Sequence, residues 1–272
     1  MTTHPFIPEF AILGHPNEGK SAVVSTLTEN DQVRVSPVPG ETTRSSSYTV
    51  YLDNTEVIRF TDTPGFQVPQ QTLAWFKAFK GNPESILDDF IQTFRHDPFY
   101  ADECELFRPV AAGAGIIYVV DGSRPVRDDD LAEIEILRLT GRPRMAIINS
   151  KTSQNDYSRE WKNEFSKTFN AIRRFNANLA GFSERTALLE SLKAIDQEWE
   201  AVLSRVISAF RSERAQRCAL TAAKIVQALK KQSAILRLRP FWKTRMPEAL
   251  KQHSRRRIRP RSGRLSKRCL PI

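Results

Sequence analysis

Near the N-terminus, Gly14-His15-Pro16-Asn17-Glu18-Gly19-Lys20-Ser21 has the residue types and spacing to hold a chain of phosphates. Glycines let a backbone wrap an anion with its N–H groups turned inward, at the positive end of a following helix. Lys20 is placed to reach the β- and γ-phosphates, the Ser21 hydroxyl to ligate Mg2+, and Ala22 to continue the loop's backbone into that helix. Some forty residues on stands Asp62-Thr63-Pro64-Gly65, where the carboxylate suits a water-mediated Mg2+ contact and Gly65 can offer its N–H to a γ-phosphate. Between them, Gly40-Glu41-Thr42-Thr43-Arg44 lies in a polar stretch bounded by Pro37 and Pro39. A Thr in such a loop, here Thr43, can supply a further hydroxyl to the metal when the nucleotide is bound.

These groups act only if regular elements bring them together. Glu9–Leu13 is a short apolar run between Pro8 and Gly14, the pattern of a buried strand, and Ala22–Leu27 opens a helix straight after the loop. Thr55–Thr61 reads as a second strand running into Asp62, preceded by a hairpin whose turn is Asp53-Asn54. Gly115–Val120 and Arg144–Ile148 read as further strands. Between Phe66 and Gly113 lies a long insert with nine aromatic residues, and spacings such as Ile86, Leu87, Phe90, Ile91 and Phe94 predict amphipathic helices there. The bland reading packs those helices on the domain; the sharper one has them report nucleotide state to a partner. Asp128-Asp129-Asp130 reads as the acidic first turn of a helix, not a metal cluster.

In order and spacing, the three loop motifs resemble the translation-factor-related small GTPases of the Era and TrmE type over residues 8–180. The resemblance implies an α/β P-loop NTPase fold, a doubly wound, mostly parallel sheet, with Mg2+-dependent hydrolysis of GTP to GDP as a molecular switch. In that group the Thr before the Arg is the switch I metal ligand, which points to Thr43, and the loop Asn helps hold a monovalent cation, which points to Asn17 and to stimulation by K+. More narrowly, Phe175-Asn176-Ala177 through Phe182, Glu184-Arg185 and Leu188-Leu189-Glu190 resemble a bacterial subfamily whose GTPase domain is followed by an uncharacterised C-terminal region. Those proteins are longer, which implies a truncated or shifted end here. The implied site comprises Gly14, Asn17, Glu18, Gly19, Lys20, Ser21 and Ala22 around the phosphates and Asn149 and Lys151 at the base. Lys20, Thr43, Asp62 and Gly65 act in catalysis, and Ser21, Thr43, Asp62 and Asn17 at metals.

Two departures stand out. Guanine selectivity in that group rests on Asn/Thr-Lys-x-Asp, whereas the strand here ends in Asn149-Ser150-Lys151-Thr152 with no Asp before Asp156. Phe66 follows Gly65, where related enzymes place a Gln that orients the attacking water, so intrinsic turnover should be slow. His15 is read as a solvated side chain.

From Ser183 onward, Leu188, Leu192, Ile195, Trp199, Val202, Val206 and Ala209 recur at alternating steps of four and three, an apolar seam of one long helix that packs as the last helix of the nucleotide domain and extends beyond it, or else serves a coiled-coil or dimer contact. The expected organisation is therefore a nucleotide domain at 6–180 with its insert at 66–113, a helical extension at 181–230, and a tail at 231–272. The formal net charge of +10 is uneven: residues 226–272 hold 15 Lys+Arg against Glu248 alone, and the remainder is slightly acidic. That tail reads as disordered. It is open to three readings: an arm for RNA or acidic membrane, a solvated extension, or a shifted frame, with the abrupt change of composition favouring the last. At 40% hydrophobic the composition is globular, and no apolar run reaches the 18 or so residues of a membrane span. Three scattered cysteines and no visible secretory signal fit a cytoplasmic protein. The expected partners are a guanine nucleotide, an unidentified protein effector and a second G domain. The competing functions are nucleotide binding with little hydrolysis or relaxed base choice, and RNA binding through the tail.

Overall fold

The structure, a computed structural model, describes residues 7–28, 35–37, 45–150, 156–176 and 181–244. In chain order the elements are β1 (Glu9–Leu13), α1 (Lys20–Thr28), β2 (Val35–Pro37), β3 (Ser46–Leu52), β4 (Thr55–Asp62), α2 (Pro69–Ala78), α3 (Ile86–Phe94), α4 (Ala101–Ala111), β5 (Gly115–Asp121), α5 (Asp128–Leu139), β6 (Arg144–Asn149), α6 (Ser158–Phe165), β7 (Ala171–Phe175), α7 (Phe182–Lys193) and α8 (Gln197–Thr244). The seven strands form one sheet in the order β2-β3-β4-β1-β5-β6-β7. Every pairing from β4 to β7 is parallel, and β2 and β3 add an antiparallel edge. Asp53 and Asn54 take φ of 52° and 60°, the left-handed pair that a tight two-residue hairpin between β3 and β4 requires.

The central strands are apolar on both faces, as a sheet covered on both sides demands. Alternate side chains separate cleanly. Leu13, Tyr118, Val120, Ala146 and Ile148 join one core cluster with α2–α6, while Phe10, Ile12, Ile117, Val119 and Ile147 join another with α1, α7 and α8. At about 25 cal/mol per Å2 of apolar surface, each fully buried aliphatic or Phe side chain supplies about 1.5–3 kcal/mol. The segment between β4 and β5 folds as α2, α3 and α4 around an aromatic cluster in which Trp75, Phe76, Phe90 and Phe107 are in ring contact.

The chain divides into two compact units, Met1–Ser212 and Glu213–Ile272. The sequence reading bounds the nucleotide domain at 180 with the seam helix packing against it, and the first unit runs on through α7 and the first turns of α8. Leu188, Leu192, Trp199, Leu203, Val206 and Phe210 are all buried in it, with Trp199 edge-on to Phe10 at 4.8 Å. The seam also differs from the single helix expected from Ser183. It breaks after Lys193, and Asp196 restarts the chain by accepting from the Glu198 N–H at 2.9 Å. In the second unit, Leu220, Ile225, Val226 and Leu229 of α8 are exposed. No helix among the described residues is long and apolar enough to cross a membrane. Of the tail expected to be disordered from residue 231, the part up to Thr244 is helical as the end of α8, and the rest lies outside the described residues.

Candidate functional site

In open α/β sheets a crevice forms outside the carboxyl ends of the strands where the order reverses, and here that point is β1, between β4 and β5. The chain leaves β1 at Gly14 with φ of 140°, and a Cβ there would run into the Val119 carbonyl oxygen. Asn17 and Gly19 follow at φ of 67° and 100°, alternations of hand that turn successive N–H groups toward one concavity. Helix α1 starts at Lys20 on bonds from the Ala22 and Val23 N–H groups to the Gly19 carbonyl. Lys20 folds back over the loop, its Nζ donating to the carbonyls of Gly14 and His15 at 3.1 Å each. Burial lowers its pKa, opposed by the charges of Asp62, Glu133 and Glu18.

Parallel pairing of Ile12 with Asp62 sets the end of β4 beside this loop. Ser21 Oγ donates to Asp62 Oδ2 at 3.1 Å, while Asp62 Oδ1 is buried with no hydrogen-bond partner among the described residues. Burial pushes the Asp62 carboxyl up, against the pull of Ser21 and Lys20. A hydroxyl and a desolvated carboxylate with a spare oxygen are hard oxygen donors, the set that suits Mg2+. Gly65 lies tight on the loop, since a Cβ there would sit 2.5 Å from Pro16 Cδ and 2.9 Å from the Gly14 carbonyl oxygen. Thr43 and Lys151 lie outside the described residues, as do the rest of Gly40–Arg44 and Thr152.

The Glu18 side chain faces away from the concavity and into the protein. It accepts from the Asp121 N–H and from Arg124, whose guanidinium reaches Asp130 at 2.6 Å on its other side. Burial alone would lower the Arg124 pKa, but the hydrogen bonds to Asp130 and Glu18 and their charges raise it. Arg124 also lies over the Trp161 ring of α6 at 5.2 Å. Asn149 is buried and donates from Nδ2 to the Glu18 carbonyl at 3.1 Å, tying the end of β6 to the loop. Asp156 is distant from any such role in its contacts, accepting from the Ser158 N–H and pairing with Arg174.

Two groups escaped the sequence reading. His15, expected to be solvated, has Nδ1 3.2 Å from Oε1 of the fully buried Glu133 on α5, and Tyr118 donates to Glu133 Oε2 at 2.8 Å. The bond to Glu133 raises the His15 pKa against burial, and burial raises that of Glu133 against its bonds from His15 and Tyr118. On α4, buried Glu103 accepts at Oε1 from the N–H groups of both Gln67 and Val68 at 2.7 Å. Phe66 is buried beside it, edge-on to Phe107 at 6.0 Å. A buried acid on a helix has no local sequence signal that would single it out.

A family model described as "50S ribosome-binding GTPase" matches residues 9–150, and one described as a domain of unknown function (DUF3482) matches residues 162–268. GTPase Era of Ureaplasma parvum serovar 3 is 39% identical over 66 residues, 24% of this chain and only 22% of that protein's length. A probable GTP-binding protein EngB of Neisseria meningitidis serogroup C is 26% identical over 193 residues, covering 68% of this chain and 75% of its own. Among solved structures, Era in complex with MgGDPNP and nucleotides 1506–1542 of 16S ribosomal RNA is 17% identical, with a TM-score of 0.44 over 70% of this chain and 56% of that one.

Proposed function

Because the chain belongs to the 50S ribosome-binding GTPase family, whose model spans residues 9–150, we propose that it binds GTP with Mg2+ and hydrolyses it to GDP and phosphate as a switch. The observation that carries this reading is the junction of β1, α1 and β4. It places Lys20, the Ser21–Asp62 pair and Gly65 around one anion-ready backbone turn. Lys20 exchanges its two carbonyl bonds for phosphate oxygens, and the loop N–H groups near Gly19 stabilise the charge that develops on the phosphates. Ser21 and Asp62 would hold Mg2+, with Thr43 proposed as a further ligand; the ion would neutralise charge that develops on the phosphates. Water attacks the γ-phosphorus while the Gly65 N–H holds the γ-phosphate. Phe66 takes no part in orienting that water, which supports slow intrinsic turnover and a dependence on K+ near Asn17.

Asn149 is read as steadying the loop through the Glu18 carbonyl, and Asn149 and Lys151 are kept as the proposed base contacts. The missing Asp in Asn149-Ser150-Lys151-Thr152 favours a second reading, relaxed base choice. The C-terminal segment is read as the uncharacterised region of the bacterial subfamily. The DUF3482 match running to residue 268 supports a retained domain over a shifted frame. A cytoplasmic location, an effector and RNA contact through the basic tail belong to the same proposal.

A titration with fluorescent GDP, competed by GDP, GTP and ATP in Mg2+ and K+, tests it. Competition by guanine nucleotides alone, lost in Lys20→Ala, supports the switch; equal competition by ATP supports relaxed base choice. Absence of any binding overturns both, and equal turnover in Na+ and K+ removes Asn17 from the cation role.

A further inference from the structure

The loop that carries Gly65 is not held by its own residues. Helix α2 begins just after it, and its N-cap, Val68, has no side chain able to accept a hydrogen bond from the first turn. The two residues that lead into the helix are held instead by Glu103 on α4, 35 residues beyond Val68. Its Oε1 accepts from the N–H groups of Gln67 and Val68 at 2.7 Å each. Glu103 is fully buried, and among the described residues no other carboxylate meets those two N–H groups. One turn along the same face of α4, Phe107 meets Phe66 edge-on. The Gln67 side chain closes back on the Gly65 carbonyl at 3.3 Å. Residues 66, 67 and 68 are thus each anchored to α4, and Gly65 follows from where they are fixed.

We propose that Glu103 is a positioning residue for the γ-phosphate step, through which the α3–α4 insert sets the place of Gly65 against the phosphate loop. The inference rests on the switch reading above. Gly65 already packs on Pro16 and Gly14, so a small shift of residues 67 and 68 is transmitted directly to the N–H that would meet a γ-phosphate. GDP lacks that phosphate and should be indifferent to the shift. A cap that served only to stabilise α2 would instead change melting temperature while leaving the preference between GTP and GDP untouched.

The test compares wild type with Glu103→Met, which fills the volume without an acceptor, and Glu103→Gln, which keeps a carbonyl oxygen at Oε1. The substitution to Gln forfeits no bond at Oε2, because that oxygen has no partner among the described residues. GDP and a non-hydrolysable GTP analogue are titrated on the full chain in Mg2+, and kcat and KM for GTP are measured. Two backbone donors left without their acceptor should weaken analogue binding and lower kcat by about tenfold in Glu103→Met, with GDP affinity unchanged and near-wild-type values in Glu103→Gln. If Glu103→Met fails to fold, Glu103→Asp, with its carboxylate drawn back by one methylene, should show the same split in smaller degree. A wild-type ratio of analogue to GDP affinity together with wild-type kcat, in whichever variant folds, overturns the proposal. Failure of the wild type to bind guanine nucleotides is seen before any variant and overturns the switch reading itself.

Discussion

At the scale of single residues, the phosphate loop is held by steric and electrostatic constraints that point in different directions. Gly14 has no room for a Cβ beside the Val119 carbonyl and sits at φ of 140°, so Gly14→Ala combines a clash with a forbidden backbone angle. Such strain costs about 1–3 kcal/mol, and thermal unfolding should show a clear drop in Tm together with lost nucleotide binding. His15 and Glu133 make a prediction about pH. The folded pKa of His15 lies above its ordinary value of 6.5, so the stabilisation is fully present below 6.5 and is lost as pH rises through the raised value. Glu133, buried with its own pKa raised above 4.5, adds a cost for ionisation that grows in the same direction. Glu18, Asp130, Lys20 and Tyr118 also face the pair, and the acids reinforce the charge on His15 while burial holds Tyr118 in its neutral form. Melting curves of the nucleotide-free protein should therefore fall in Tm from mildly acidic to mildly alkaline pH. His15→Asn should flatten that slope, and an unchanged slope would remove the pair from pH dependence.

At the scale of elements, the parts most legible in the sequence were those whose chemistry is local. Apolar runs and turn residues predicted β1, β4, β5 and β6, the left-handed Asp53-Asn54 hairpin, and the acidic first turn of α5. Asn149 was singled out by its likeness to the family's base motif at the end of an apolar strand, and the fold ties it to the phosphate loop. Illegible were the ties between elements, because Glu18 reads as one more phosphate-loop residue, Asp130 as part of an acidic first turn and Arg124 as an ordinary surface charge until tertiary structure brings them together. In the fold the three side chains are at most 15% exposed, and Arg124 joins the phosphate loop to α5 and, through Trp161, to α6. Removing one member of a buried charge network strands the others, at a cost of about 3–5 kcal/mol. Arg124→Met should therefore lower Tm severely and weaken nucleotide binding. Adding Glu18→Gln and Asp130→Asn should recover part of the Tm, since no buried charge is then left without its partner. Failure of that rescue would mean that packing on Trp161, not charge, is what Arg124 contributes.

At the scale of the whole molecule, the question is how much chain the nucleotide domain needs. The heptad-like seam was legible as an apolar helix face, but its spacing alone does not say whether that face meets a second helix or the sheet. The answer lies in shape. Gly115 of β5 leaves room for the Trp199 ring, which also meets Phe10, and Leu203, Val206, Ile207 and Phe210 continue along the same face of the sheet. Trp199→Ala should accordingly cost about 3–5 kcal/mol, as large aromatic truncations in cores do. The same residues fix where the domain ends. Phe210 is the last buried side chain described in the chain, and from Arg214 to Gln232 every described side chain is exposed. A fragment of residues 1–212 should keep the Tm and GDP affinity of the full chain, because none of the side chains described beyond it is buried. A fragment of residues 1–180 removes Leu188, Leu192, Trp199 and Phe210 and uncovers the part of β1, β5 and β6 that α7 and α8 cover; it should be insoluble or unfolded. Circular dichroism and GDP titration on the two fragments decide between this boundary and the earlier one. If residues 1–180 fold and bind GDP, then α7 and the first turns of α8 are a covering layer that the domain can do without.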